Sequence, residues 1–434
     1  MAERIPPSVP SPAPWPAPDW RPRRVAMLTL HTSPTASLGL SANGGLNVYV
    51  RELCQVLSRR GVATDVFTRC PDGGCPRTEP LASLSRVVYL PAGPPDVDKY
   101  RLLDQVPAFT DHVEDFIRDS GLEYDLMYSH YWLSGLTACA LRGRLCLPWA
   151  HTAHTLAVVK NRQLAPGAAP EPEVRVDLEG EIARCADLLV VSTDAEGDDL
   201  RRAYHVAAGR VAVVPPGVDS EAFRPRPRAE ARRLVGLPDS RLFVLVGRLE
   251  PLKGAEVALR AFGLLTASGR HPEARLLVLG EDSGADGGGE RERLRRLSQE
   301  LGLAGRVEFR GSVPHDRLPV YYAAADACLV PSYSESFGLV GLEAQACGTA
   351  VIAANLPGLA SVVRDGVTGY LVDGPEPPSY ADRMRRLLDD EELVERLGRS
   401  ARRRAAAFTW ERTTELLLER FASLAPARQR GLVL

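Results

Sequence analysis

From Arg24 onward, short runs of β-branched and aliphatic residues alternate with longer stretches in which apolar residues recur at three- and four-residue spacing. The first pattern fits strands buried on both faces and the second amphipathic helices, so the alternation predicts an α/β protein with parallel sheets. Strands are expected at 25–30, 64–68, 86–90, 126–129, 148–151, 188–192 and 211–214, and again at 242–246, 275–279, 307–309, 327–330 and 350–353. Each half has enough strands for its own sheet. Residues 215–230 hold four prolines and no helical stripe, and read as a linker. At 434 residues the chain is also too long for one ordinary domain and long enough for two well-cored ones.

Composition narrows the function classes. With 45% hydrophobic, 25% charged and 6% aromatic residues the chain is that of a soluble globular protein. Its 53 basic and 55 acidic residues leave a charge of -2, so no net field attracts nucleic acid or an anionic membrane, and any anionic ligand must be held locally. No run approaches the roughly 18 apolar residues of a membrane span. The opening 24 residues carry eight prolines without the apolar core of a secretory signal, so a disordered lead-in and a cytoplasmic protein are expected. Eight cysteines are too few for a disulfide framework; Cys54, Cys139, Cys146, Cys185 and Cys328 sit in apolar runs and are expected as reduced core thiols. Cys70 and Cys75 bracket a Pro-Asp-Gly-Gly turn with no histidine nearby, which reads as a surface loop rather than a metal site. The glycine-rich stretch 280–289 lacks a phosphate-loop spacing and reads as a connection, and the arginine-rich stretches 383–387 and 399–407 read as solvated helix faces. Among the 53 basic residues only three are lysines, Lys99, Lys160 and Lys253. A bias towards arginine leaves lysine mainly where a compact, flexible ammonium is preferred, and all three lie in or beside the motifs that follow.

The first strand runs out at His31-Thr32-Ser33-Pro34, and the chain then reaches Asn43-Gly44-Gly45-Leu46-Asn47, where Leu46, Val50, Leu53 and Leu57 share one helical face. Such a glycine pair either makes a tight turn or lets a ligand approach the N–H groups of a helix start. SHYWLSG (129–135) and His151-Thr152-Ala153-His154-Thr155 end neighbouring expected strands. A lone histidine there would be a satisfied structural residue, whereas two polar clusters at adjacent strand ends indicate a ligand site. In the second half, Gly247-Arg248-Leu249-Glu250-Pro251-Leu252-Lys253-Gly254 follows a strand, and Arg248 and Lys253 can set a fork and a point charge against one diphosphate. The run 331–339 follows the strand 327–330, with Glu343 eight residues after Glu335. A helix beginning near Phe337 would turn its free N–H groups, around Ser336, Gly338 and Leu339, towards phosphates and carry Glu343 two turns further, to a ribose diol. The two carboxylates also fit a hydrolase pair, although neither a hydrophobic cover nor a metal set accompanies them. Asp96-Val97-Asp98 has a metal-binding form but lies in a proline-rich loop, and no metal is expected.

GGLNVYVREL (44–53), GRLEPLKG (247–254) and PSYSESFGLVGLEAQACGT (331–349) together resemble the retaining glycosyltransferases of family 4, over roughly residues 24–410. The resemblance implies the GT-B architecture, two facing Rossmann-like domains at 24–214 and 231–405 joined by the linker, with 406–434 forming a helix and tail that pack back on the first. HTSP (31–34), HTAHTLAVVKN (151–161) and the motifs above are most similar to the mycothiol-pathway branch, which joins N-acetylglucosamine from UDP-GlcNAc to an inositol phosphate. The resemblance assigns the acceptor phosphate to Lys99, Tyr131, Thr155 and Arg175, with His31 and Asn47 on the ring side. It assigns the nucleotide sugar to Gly45, Gly247, Arg248, Lys253, Glu335, Ser336, Phe337, Gly338, Leu339 and Glu343, and sets His154 near the reacting carbon. Two departures stand out: Ala42-Asn43 replace an aspartate and alanine, and Pro357-Gly358 replace Gly-Gly. The implied reaction needs no cofactor or metal, with a UDP-sugar and a small phosphorylated or cyclitol acceptor as partners; the oligomeric state, homodimer included, stays open. The alternatives are a specialised-metabolite glycosyltransferase with a cyclitol, aminocyclitol or thiol acceptor, and a non-catalytic nucleotide-sugar binder or an epimerase of similar shape. A complete second anion site speaks against the last two.

Overall fold

The computed structural model describes residues 20–36, 44–70, 74–94, 97–238, 240–282 and 289–425. Most of the proline-rich lead-in, Ala42, Asn43, Asp96, the middle of the 280–289 loop and the C-terminal tail lie outside them.

The first sheet comprises β1 (Arg24–Leu28), β2 (Ala63–Cys70), β3 (Thr78–Ala82), β4 (Ser85–Pro91), β5 (Leu126–His130), β6 (Trp149–Thr152), β7 (Leu188–Val191) and β8 (Val211–Val213), in the order β3-β4-β2-β1-β5-β6-β7-β8. The second comprises β9 (Arg241–Val246), β10 (Ala274–Leu279), β11 (Val307–Gly311), β12 (Ala327–Val330), β13 (Ala350–Ala354) and β14 (Gly369–Val372), in the order β11-β10-β9-β12-β13-β14. All pairings are parallel except β3 with β4. Every residue of β5, β6, β7, β12 and β13 is buried, and β7, β12 and β13 accordingly read as continuous apolar runs, whereas β5 and β6 end on buried polar residues. Successive residues feed opposite faces: Val25 and Met27 of β1 enter one hydrophobic cluster, Ala26 and Leu28 the other. Strands β3 and β14 escape the sequence reading, the first a part-exposed edge strand containing Pro80, the second a four-residue strand opened by Gly369.

The chain passes between the two sheets twice. The helix Trp410–Ala422 returns to the first sheet, where Trp410, Leu417, Leu418 and Phe421 join the cluster containing Val25, Met27 and Tyr128. The two crossings are tied together: the Val218 amide donates to the Phe408 carbonyl (3.0 Å), and the Thr413 hydroxyl donates to the Pro215 carbonyl (2.7 Å). A Cβ on Gly217 would lie 2.3 Å from the Trp410 nitrogen, so only glycine fits there. The expected linker 215–230 ends early, because Pro227 caps a helix Arg228–Leu234 that Arg232 ties to the second sheet through Asp326 (2.7 Å).

Three further expectations are corrected. Of the five cysteines expected in the core, Cys54 and Cys328 are buried, Cys139 and Cys185 are half-buried, and Cys146 is exposed where it ends a helix. Cys70 and Cys75 are joined as a disulfide. The late arginine stretches are not wholly solvated: Arg402 donates to the carbonyls of Ala346 (3.0 Å) and Phe223 (3.3 Å), and Arg404 to that of Val362 (2.6 Å), anchoring their helix to the second domain.

Each sheet runs outward in both directions from its first strand, so chain direction switches between β1 and β5 and between β9 and β12. Open α/β sheets bind ligands beyond the carboxyl ends of strands at such points. The two switch points confront each other: Ser336, beyond β12, donates to the carbonyl of His154, beyond β6 (2.6 Å), and a Cβ on Gly45 would lie 3.2 Å from Leu339.

Candidate active site

On the second-domain side, β9 delivers Gly247 and Arg248 to the cleft. Gly254, in a left-handed conformation (φ 69°), packs so closely on Pro331 that a Cβ would lie 2.0 Å from that carbonyl, which fixes the turn carrying Lys253 against the segment carrying Glu335. Lys253 Nζ meets Glu335 Oε2 at 2.8 Å, and Arg248 Nη2 meets Glu250 Oε1 at 3.2 Å. Burial would raise the Glu250 carboxyl, but Arg248 and Lys253, reinforced by Lys160 and Lys99, hold it below its ordinary value. One cavity is lined by Gly45 of the first domain and by Gly247, Arg248, Lys253, Glu335, Leu339 and Glu343 of the second. The helix expected near Phe337 begins at Leu339 after Gly338 (φ 97°), so Glu343 stands one turn in, not two. That left-handed glycine accompanies an inward turn of the Phe337 side chain, which is buried against Phe408 and packs in the core instead of facing the cleft. Glu343 is buried between two partners: His315 Nε2 lies 2.7 Å from Oε1, and the Tyr322 hydroxyl donates to Oε2 (2.9 Å). Burial works against charge on His315, yet Glu343 raises its pKa above the ordinary value. The sequence reading missed His315; its position just beyond β11, at the carboxyl edge of the sheet, was the available clue.

On the first-domain side, Tyr131 (φ 73°) follows β5 and His154 (φ 59°) follows β6. The other non-glycine residues with positive φ among those described, Cys146 and His205, end helices; Tyr131 and His154 have no such role, and strained backbone of this kind marks functional sites. The Tyr131 ring lies 4.3 Å from that of His31, and the Arg175 guanidinium lies 5.1 Å above it. Arg175 is fully buried; it donates to the Thr155 hydroxyl (3.1 Å) and pairs with Glu179 (2.8 Å) and Glu171 (2.8 Å). Lys99 (2.9 Å) and Lys160 (3.1 Å) reach the same Glu171. Lys99, Tyr131, Thr155 and Arg175 are therefore gathered as expected, around a carboxylate the sequence reading did not single out. Asn47 is corrected: it is fully buried, donates to Thr32 (2.7 Å) and to the Ser33 carbonyl, and accepts from the Gly44 amide (3.2 Å). Its amide knits the loop after β1 to the helix Gly45–Arg59 instead of facing the cleft. The His154 ring is likewise directed to its own domain, 3.0 Å from His130 Nδ1, and its carbonyl makes the contact with Ser336.

Residues 44–217 match the family Glycosyl transferase 4-like domain, and residues 228–404 match Glycosyl transferases group 1. The D-inositol 3-phosphate glycosyltransferase of Corynebacterium jeikeium is 44% identical over 422 residues, covering 94% of this chain and 98% of that protein. Its namesake from Acidothermus cellulolyticus is 45% identical over 405 residues, 92% of this chain and 90% of that one. The chain belongs to the GT-B glycosyltransferases. Among solved structures, a sucrose-phosphate synthase from Thermosynechococcus elongatus superposes with a TM-score of 0.84 at 35% identity, covering 91% of this chain and 97% of that one. Anabaena HepE in complex with UDP and glucose shares the fold (TM-score 0.73, 18% identity, 92% of this chain and 99% of that one).

One sequence departure of this glycosyltransferase is absorbed by its geometry. A Cβ on Gly358 would lie 2.3 Å from the Glu335 carbonyl oxygen and 2.6 Å from that of Ser336, so the second glycine of the pair is obligatory. Pro357 opens the helix Pro357–Val362, where a missing N–H costs nothing. Gly358→Ala is expected to displace the Glu335 turn, lowering stability by about 1–3 kcal/mol and raising the donor KM; thermal melts and donor titration check both.

Four histidines of the enzyme cluster near the cleft. Burial holds His31, His151 and His154 down to about 3 and His130 well below its ordinary value; the charges of His154, Arg175, Arg248 and Lys99 add to the effect on His31. As pH falls below the unfolded value of about 6.5, the unfolded chain takes up these protons first, so stability declines from there towards pH 3. Glu196, which burial pushes up to about 7, opposes this by favouring the fold as pH falls towards 4.5. His315, raised by Glu343, contributes its stabilisation below 6.5. Glu52 and Glu179, also raised by burial, act in the same sense as Glu196. With four strongly lowered imidazoles against these, we expect a net loss of stability between about pH 6.5 and 5, read as a falling Tm at constant ionic strength. An unchanged Tm would show that these imidazoles are not held neutral.

No helix of the described residues is long and apolar enough to cross a membrane, and no group of three or more His, Cys, Asp or Glu among them could hold a metal ion.

Proposed function

We propose that this glycosyltransferase moves N-acetylglucosamine from UDP-GlcNAc to an inositol phosphate with retention of configuration. The observation that carries the reading is the gathering of Lys99, Lys160 and Arg175, with Thr155 and Tyr131, at one switch point, opposite Arg248 and Lys253 at the other. A transferase with a neutral acceptor has no use for a second set of cations, whereas a phosphate monoester requires one. The names of its relatives, 44% and 45% identical over almost the whole chain, support the same acceptor.

In this reading the diphosphate lies against Arg248, Lys253 and the N–H groups at the start of the helix Leu339–Ala346. Glu335, oriented by Lys253, holds sugar hydroxyls, and Glu343, fixed by His315 and Tyr322, accepts from the ribose. The bond from the sugar C1 to the diphosphate oxygen breaks as an acceptor hydroxyl closes on the same face. The hydroxyl proton passes to the departing phosphate, whose growing charge the two cations stabilise. Because these groups supply the positive charge, we propose that no metal or cofactor is required. The setting we propose is cytoplasmic, which the six free thiols support and the Cys70–Cys75 disulfide does not.

The test is UDP release from UDP-GlcNAc, and from UDP-glucose in its place, with inositol 3-phosphate, free inositol, an aminocyclitol, a thiol, a hexose phosphate or no acceptor. Release confined to the inositol phosphate is expected. Preference for an unphosphorylated cyclitol or a thiol would replace the reading with a specialised-metabolite transferase, and no acceptor-dependent release would leave a nucleotide-sugar binder.

A further inference from the structure

Glu171 lies on the segment between the helices Ala157–Arg162 and Glu173–Cys185, and its carboxylate fills the centre of the acceptor cluster. Lys99 donates to both oxygens (2.9 and 3.0 Å), Lys160 to Oε1 (3.1 Å), and Arg175 Nη1 meets Oε2 (2.8 Å), which the Tyr100 hydroxyl also contacts. These are the donors that the proposed acceptor phosphate would need. The main chain of Glu171 is held separately: its amide donates to Asn161 Oδ1 (2.7 Å), and Asn161 Nδ2 donates to its carbonyl (3.0 Å). The side chain can therefore rotate away while the backbone stays in place. With Glu171 withdrawn, Lys99 and Lys160 lose the carboxylate they are paired with and Arg175 keeps only Glu179, which frees cationic donors for a phosphate monoester dianion.

We propose that Glu171 is a resident anion of the acceptor site: its carboxylate occupies the phosphate position when no acceptor is bound, and only an acceptor bearing a dianion displaces it. The inference rests on the phosphorylated-acceptor reading and adds a specificity-determining residue to it. While Glu171 is in place it keeps Lys99, Lys160 and Arg175 from splaying apart and closes the position to neutral rings. A phosphate gains entry because it meets the same donors with twice the charge.

Inorganic phosphate is the probe, measured by calorimetry at fixed ionic strength on the full chain. Glu171→Gln keeps the size of the side chain and its ability to accept from Tyr100 but removes the competing charge, and should tighten phosphate binding by about tenfold, lowering the KM for the phosphorylated acceptor in parallel. Glu171→Asp restores the charge and should return phosphate affinity towards the wild-type value. UDP affinity should be equal in all three. Weaker or unchanged phosphate binding in Glu171→Gln overturns the proposal and makes Glu171 a fixed organiser of the cations. Lys99→Ala separates this from the acceptor reading: if it weakens phosphate binding while Glu171→Gln does not tighten it, only the displacement fails. If Lys99→Ala leaves phosphate binding untouched, the cluster is not the acceptor's anion site and both fall.

Discussion

Lys253→Ala is expected to lower turnover by about 10² or more while the fold survives. The ammonium is held beside the proposed diphosphate position by the close Gly254–Pro331 contact and by Glu335, 2.8 Å away, and it remains a quarter exposed (26%), so little packing is lost with it. Its proposed work is done on charge that grows as the diphosphate departs. Loss of one such stabiliser costs about 2.7–4 kcal/mol of the barrier. The alanine variant also releases Glu335, whose unpaired carboxylate then opposes the same charge. The effect should therefore appear in kcat at saturating donor, with the acceptor KM unchanged and Tm nearly so. Unchanged turnover in a folded variant would remove Lys253 from the mechanism.

Arg175→Ala should act on the other side of the cleft and on two properties at once. Arg175 is fully buried, and its removal withdraws one donor from the proposed phosphate and leaves Glu179, itself almost fully buried, with only the Ala157 amide (2.8 Å) and the Tyr204 hydroxyl (3.2 Å). Truncating one partner of a buried charge pair costs roughly 2–5 kcal/mol in binding and about 3–5 kcal/mol in stability. Acceptor affinity should therefore fall by about 30-fold or more, and Tm should drop, while UDP affinity persists because the charged groups proposed for the diphosphate and ribose, Arg248, Lys253 and Glu343, lie on the other domain. Lys99→Ala comes closer to isolating the binding effect, since the Lys99 side chain is 40% exposed, against none for Arg175. If UDP affinity in Arg175→Ala fell as far as acceptor affinity, the separation of the two sites would be wrong.

How much of this could be read in advance follows from where each residue's partners lie. Buried parallel strands such as β7 and β12 declare themselves by unbroken apolar runs, and the proposed donor residues Arg248, Lys253 and Glu335 by following β9 and β12. The edge strand β3 has no such run, because half-exposed residues and a proline suffice where only one neighbour pairs with it. Lys99 and Arg175 carry no local pattern, and only the family resemblance joined them; the sheet order explains why, by bringing the segments after β4 and β6 to one crevice. Phe337 and Asn47 show the opposite failure. Both lie inside motifs that the family resemblance assigns to a ligand, yet a left-handed glycine turns the side chain of one into the core and a buried loop consumes the hydrogen bonds of the other. Glu171 and His315 were missed because their importance lies in what they hold: Glu171 joins the nearby Lys160 and Arg175 to the distant Lys99, and His315 meets Glu343 from 28 residues away, so no local motif announces either. The three lysines were a compositional oddity in the sequence, and the structure pairs each with a glutamate in the cleft, Lys99 and Lys160 with Glu171 and Lys253 with Glu335.

In the proposed reaction, two cationic switch points join a UDP-sugar to a phosphorylated cyclitol across one cleft, with retention. Proton NMR of the product formed from UDP-GlcNAc and inositol 3-phosphate tests it most directly, because the anomeric coupling reports configuration and the ring signals report whether the phosphate remains. An α-linked N-acetylglucosaminyl inositol that still carries its phosphate, formed with release of UDP, is the expected result. A β-linked product, or free N-acetylglucosamine released at the same rate with and without the acceptor, would contradict it.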